Sequence, residues 1–306
     1  MLQIRLYRLK KEKKHELSFL FKNKFISLPI KSVISVKIIK VVNALEQFAP
    51  LPLQEDYDNA GLQTGLTEVD VSGALLCLDV TPAVVDEAVA LGCNLIVSHH
   101  PLIFHKLQRI CAEDEVQRTV MKALEKHVTI VSMHTNMDSV RGGVNFRIAG
   151  KMHLQQLQWL GKRKTVRLST EEGQERVAEG GEGLIGSLQE PMAADDFVLM
   201  LKRTFDVECL CANELLRRPI QRVALCGGAG DFLLGEAVAA GADAFVTGEM
   251  HYHQYFGHEQ QIQIAVLGHY QSEQFTMEIF RDIIQRECPD VACHITHINT
   301  NPIIYL

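Results

Sequence analysis

Two stretches of this chain repeat each other, and that repeat limits the fold more than any other feature. The segment VVDEAVALGCNLIVSHH (84–100) resembles LLGEAVAAGADAFVTGE (233–249) at an offset of 149, so that Glu87, Gly92 and Val97 fall on Glu236, Gly241 and Val246. Further on, TIVSMHTNMD (129–138) resembles IAVLGHYQSE (264–273) at an offset of 135, placing His134 on His269 and Asp138 on Glu273. One H-x-x-x-[DE] after an apolar run arises readily by chance. Two in matching places within similar stretches point to two halves of one design.

Each half alternates short apolar runs with helical periodicity. The spacing predicts a helix over 38–48 closed by Pro50 and Pro52, then a polar loop over 55–65 in which Asp58, Asn59 and Gly61 read as turn formers. Strands follow at 73–78, 94–98 and 128–133, with helices at 82–91 and 114–126 and another from about 144. After a connecting stretch, strands return at 222–226, 243–247, 262–267 and 293–298, with helices at 231–240 and 270–286. Such alternation describes an α/β fold, and short continuous apolar strands belong to mostly parallel, buried sheets. Ligands gather at the carboxyl ends of such strands. Residues 1–35 read as a basic, poorly ordered extension, 36–150 as the first α/β half and 221–306 as the second. Residues 151–220, polar and Gly-rich at 173–186, read as a connecting or oligomer-contact segment with a helix at about 193–205.

Charge is uneven. Residues 1–40 hold 11 Lys/Arg against Glu12 and Glu16, or +9; with a net charge of −6 overall, the remainder carries −15. A core that acidic disfavours nucleic-acid binding, which depends on neutralising phosphates. The basic segment can be read as a nucleic-acid or membrane arm, a targeting segment, or an extension from an upstream start codon. The last is preferred, because Lys22, Lys24 and Lys31 interrupt any apolar stretch there. No run of about 18 apolar residues exists, so no transmembrane helix and no membrane partner are expected. Eight cysteines without a C-x-x-C read as buried free thiols in a reducing cytoplasm, Cys209 and Cys211 among them.

Three motifs carry the chemistry: His99 and His100 in SHHP, Asp138 in HTNMD, and His269 with Glu273 in HYQSE. Each follows closely on a predicted strand. A histidine alone in an apolar neighbourhood is usually structural, but three imidazoles and two carboxylates are what a site for two divalent ions uses. That donor mix suits Zn, Fe, Mn or Co better than Ca or Mg. His134 either completes the ligand shell or orients Asp138. The turn Gly227-Gly228-Ala229-Gly230 lacks the remaining features of a phosphate loop and reads as a tight strand-to-helix turn.

Taken together, DNAGLQTG, LDVTPAVVDEA, SHHPLIF, HTNMDSVRGGVN, CGGAG, TGEMHYH and GHYQSE resemble the Nif-three-like family from about Val36 to the C-terminus. Members of that family are commonly labelled GTP cyclohydrolase 1 type 2 homologues or dinuclear-metal-centre hexameric proteins. The resemblance implies two similar α/β halves facing a central dinuclear metal site. It also implies that His99, His100, Asp138, His269 and Glu273 hold two divalent ions, with Glu273 bridging, and that the chain forms a ring-shaped homohexamer. A GTP cyclohydrolase would open the guanine imidazole ring by hydrolysis and release formate. In that picture Glu249 and His253 of TGEMHYH are the candidate acid–base groups. The reading is a metal-dependent hydrolase acting on a nucleotide-like small molecule. The alternative is a non-enzymatic metal-binding regulatory or interaction protein.

Overall fold

A computed structural model describes residues 35–169 and 175–304. The expectation for the N-terminal extension, Ser35 apart, lies outside the described residues. From Val36 onward the chain forms two sheets with helices on their faces.

The first sheet grows from α1 (Ile38–Phe48), which buries Ile38, Val41, Val42 and Leu45 on one face. It contains β1 (Gly61–Thr64), β2 (Ala74–Cys77), β3 (Leu95–Ser98) and β4 (Thr129–Ser132). Helices α2 (Pro82–Ala90) and α3 (Glu115–Glu125) connect the last three as crossovers between parallel strands, and α4 (Thr135–Ser139) and α5 (Val144–Lys151) follow. The second half contributes β8 (Ile220–Cys226), α7 (Leu234–Ala239), β9 (Ala244–Thr247), β10 (Gln263–Val266), α8 (His269–Glu273) and α9 (Thr276–Glu287). The predicted helix over 270–286 is thus two helices. Their junction is held by the Thr276 hydroxyl, which donates to the Glu273 carbonyl at 2.7 Å.

The repeat is visible in the topology. Strands β2, β3 and β4 run parallel, as do β8, β9 and β10. Each trio is flanked on its last strand by a short antiparallel edge: β1 on β4, and β7 (Cys211–Ala212) on β10. The repeated glycines have one conformational cause. Gly92 and Gly241 sit just past α2 and α7 at φ +72 and +69, the left-handed position that ends a helix.

Every residue of β2, β3, β4 and β9 is buried, and alternation sends each strand's side chains to two cores. Ala74, Leu76, Leu95 and Val97 join Val223, Leu225, Ala244 and Val246 in a core shared by both sheets. Leu75, Cys77 and Ile96 face away, against Val84, Val85 and Ala88 of α2.

Two segments lie where the sequence pattern did not put them. Residues 151–220 hold a long antiparallel pair, β5 (Gln155–Ser169) and β6 (Glu175–Met192), which extends the second sheet through β8; α6 (Ala194–Phe205) follows as expected. The closing strand β11 (Cys293–Ile295) pairs in parallel with β2, so it completes the first sheet rather than the second half. Cys209 and Cys211 are exposed, as is Cys111, in place of the expected buried thiols. Cys211 lies on β7, a two-residue edge strand with both positions exposed.

Candidate metal centre

The turns after β3, β4 and β10 converge. His99 and His100 directly follow β3, α4 carries Asp138 one turn beyond His134, and α8 brings His269 and Glu273 onto one face four residues apart. The five residues singled out in the sequence meet here although they are up to 174 positions apart.

At His99, Nδ1 lies 2.9 Å from the Met133 carbonyl, which can only accept, so Nδ1 carries the proton. Nε2 is then a bare acceptor. It faces Asp138 Oδ1 at 3.5 Å and Glu273 Oε2 at 3.7 Å, two further acceptors. His99 Nε2 and Asp138 Oδ1 are sealed from solvent, with no hydrogen-bond partner among the described residues. Burial pushes the His99 imidazole down to about 4, so it does not satisfy its neighbours by protonation. Two unserved acceptors facing each other, with the Glu273 carboxylate beside them, are costly to bury unless a cation stands between them.

His100 repeats the arrangement. Its Nδ1 is 2.7 Å from Asp79 Oδ1, and Nε2 is 3.0 Å from Glu273 Oε2 and 3.3 Å from His269 Nε2. His269 Nε2 also meets Glu273 Oε2 at 3.1 Å, while its Nδ1 meets Glu249 Oε1 at 2.8 Å. Burial works against protonating these two rings, but the adjoining carboxylates outweigh it and raise His100 to about 10 and His269 to about 9. Glu273 is held well below the usual carboxylate range by the surrounding imidazoles, against its burial. Burial and the Glu273 charge push Asp138 up.

The donor atoms form two sets of three that share one carboxylate: His99, Asp138 and Glu273, and His100, His269 and Glu273. A third set, His99, His100 and His134, overlaps both. Each can hold a metal ion, and the orphaned His99 Nε2 and Asp138 Oδ1 fit one. The GGAG turn backs Glu273. Gly228 has φ +60, and a Cβ there would stand 2.3 Å from Glu273 Oε1. The amides of Gly227, Gly228 and Gly230 are taken by Asn145, Ser272 and Thr247, which agrees with a tight turn rather than a phosphate loop.

A family model described as Duf34/NIF3 (NGG1p interacting factor 3) matches residues 36–302. The chain belongs to that family. A Clostridium acetobutylicum protein named GTP cyclohydrolase 1 type 2 homolog is 31% identical over 243 residues, covering 78% of this chain and 86% of its own. A Lactococcus lactis protein of the same name is 30% identical over 271 residues, covering 87% and 98%. Among solved structures, a Staphylococcus aureus hypothetical protein superposes with a TM-score of 0.78 at 25% identity, covering 89% of this chain and all of the other.

In this NIF3-family chain several positioning residues escaped the sequence reading. Asp58, expected as a turn former, has a fully buried side chain: Oδ1 meets His134 Nδ1 at 2.7 Å, and Oδ2 accepts from the Thr135 amide at 3.0 Å and from its hydroxyl. Burial alone would raise Asp58, but His134 and Thr135 hold it at about 2. Asp79 does the same service for His100, braced by the Thr300 hydroxyl at 2.6 Å. Glu249 stands at the site as expected, but bonded to the outer nitrogen of His269. His253 is exposed on a short 3-10 turn, its ring 5.2 Å from that of Tyr252, and does not line the cavity beside the cluster.

Proposed function

We propose that the cluster holds two divalent metal ions, one with His99 and Asp138 and one with His100 and His269, sharing Glu273, and that the protein is a metal-dependent hydrolase of a nucleotide-like substrate. The observation that carries this is the pair of buried acceptors at His99 Nε2 and Asp138 Oδ1, which no proton donor among the described residues serves, beside the Glu273 carboxylate. When bound, such ions supply a Lewis acid for a carbonyl or phosphoryl oxygen and lower the pKa of nearby water to about 7.

The chain's own residues set up the rest. Met133, Asp79 and Glu249 each occupy the outer nitrogen of one imidazole, which fixes its tautomer and aims the other nitrogen inward. Asp58 does likewise for His134, which lines the cavity and is placed to exchange a proton with a substrate there. Glu249 is thereby assigned to holding His269, and His253 to no step. Relatives named GTP cyclohydrolase 1 type 2 homolog make GTP the first substrate to try. The homohexamer is carried as a proposal on the family resemblance, to be measured by light scattering.

The test is formate release from GTP by metal-loaded protein, chelated protein and the Glu273→Gln variant. Turnover confined to the loaded wild type is expected. Equal turnover in all three would overturn the reading, and two bound ions without turnover on GTP or other nucleotides would leave a metal-binding role.

A further inference from the structure

Beside the cluster lies a cavity of about 450 Å³, within the range of small-molecule sites. Its walls are unusual in two respects. Each half contributes one exposed aromatic side chain: Tyr57 from the loop before β1, 67% exposed, and Phe232 from the turn after β8, 56% exposed. Tyr57 is braced from behind by Phe104, 6.4 Å away edge-on, which in turn stands 6.1 Å from the His134 ring. Two large rings exposed at one cavity leave apolar surface that nothing among the described residues covers.

The lining is rich in carboxylates. Glu55, Asp138, Glu182 and Glu273 line the cavity, and no Lys or Arg does so among the described residues. Glu55 is paired outside it with Lys164 at 2.9 Å. Glu182 accepts the Lys162 amide on Oε2 at 2.8 Å, and its other oxygen takes no hydrogen bond among the described residues. The cavity therefore offers flat apolar faces and a carboxylate acceptor. It has no Lys or Arg for a phosphate among the described residues, and the two imidazoles in its lining, His134 and His269, are already paired with Asp58 and with Glu249 and Glu273.

We propose that this cavity recognises its ligand through a flat nitrogen heterocycle of purine-like class, with its faces against Tyr57 and Phe232 and an N–H edge towards Glu182, and that these walls contribute nothing to phosphate binding. Which bond reacts rests on the hydrolase reading above; recognition of the ring does not. The ligand is thereby held by its base and not by its phosphates.

The test is equilibrium dialysis of guanosine, GTP and ribose 5-phosphate with chelated and with metal-loaded protein. Guanosine should saturate both forms, and GTP should bind the chelated form no more tightly than guanosine. Ribose 5-phosphate should not bind the chelated form. Tyr57→Ala and Phe232→Ala should each weaken guanosine by at least about fivefold, the lower end of what stacking on an aromatic contributes, and Tyr57→Phe should keep it. Both side chains are exposed, so the variants should melt with the wild type. No guanosine binding to either form, tighter GTP binding to the chelated form, or full affinity in both alanine variants would overturn the proposal. Two bound ions without guanosine binding would refute this proposal and leave the metal site standing. Guanosine binding without bound ions would do the reverse.

Discussion

At His99 a backbone carbonyl decides the chemistry: it takes the Nδ1 proton and leaves Nε2 as an acceptor among carboxylate oxygens. The other two imidazoles are charged in the ion-free protein, with values of about 10 for His100 and about 9 for His269. An imidazole must lose the proton on its ligating nitrogen to bind a metal, so ion uptake at pH 7 has to expel those protons. The predicted outcome is net proton release on metal binding, with affinity rising from pH 6 to 9. Calorimetry in two buffers of different ionisation enthalpy reads this directly, and a buffer-independent heat would contradict it. Asp79→Asn removes the carboxylate behind His100 and should weaken metal binding by about 10–100-fold, measured by competition with a chromogenic chelator. Gly228→Ala should also lower metal content, since the new methyl group would take the place of Glu273 Oε1. The five proposed ligands were legible because each lies in a short motif behind an apolar strand. Asp58 and Asp79 were not, because the histidines they hold lie 76 and 21 residues away and nothing local marks an aspartate as buried.

Among the elements, the parallel trios were readable from apolar runs of strand length, and the β5–β6 pair was not. The reason is visible in β5. Leu157 and Trp159 pack against the core from odd positions, Val166 and Leu168 from even ones, with a register shift between Leu160 and Arg163. A bulge there reverses the alternation, so neither half of the strand is long enough to show a two-residue period. The Gly-rich composition of β6 hid its partner in the same way. One acidic side chain braces the end where β8 and β9 begin to pair. Asp243 accepts from the amides of Gln221 at 3.0 Å and Arg222 at 2.8 Å, and pairs with the Arg218 guanidinium. Burial raises its pKa, but those donors outweigh it and the net shift is downward. A lowered folded value means stability that is present above the unfolded value and lost as pH falls through the folded one. Asp243→Asn should cost about 1–2 kcal/mol at pH 7. Urea titrations should show that gap closing as pH falls below about 4, the unfolded value for an aspartate. A gap independent of pH would contradict the assignment.

Over the whole molecule, the two-half design followed from the repeat, whereas the path of the C-terminus did not. Strand β11 pairs with β2, more than two hundred residues earlier, and its continuation is tied down by Glu87, which accepts from the His297 amide at 2.9 Å and from the Thr296 hydroxyl. A three-residue strand carries no pattern that names its partner. No helix among the described residues is long and apolar enough to cross a membrane. The proposed ligands come from turns of both sheets, so bound ions would tie the halves together. Chelation should lower the melting temperature by about 5 °C or more, given ions at about a hundred times their dissociation constant. An unchanged melt would mean that the halves hold together without them.

The most direct test of the account is metal content per chain, by mass spectrometry after reconstitution and dialysis, for the wild type beside Glu273→Gln. Two ions in the wild type and at most one in the variant are expected, because Glu273 is the carboxylate common to both donor sets. No metal in the wild type, or the same content in both proteins, would contradict it.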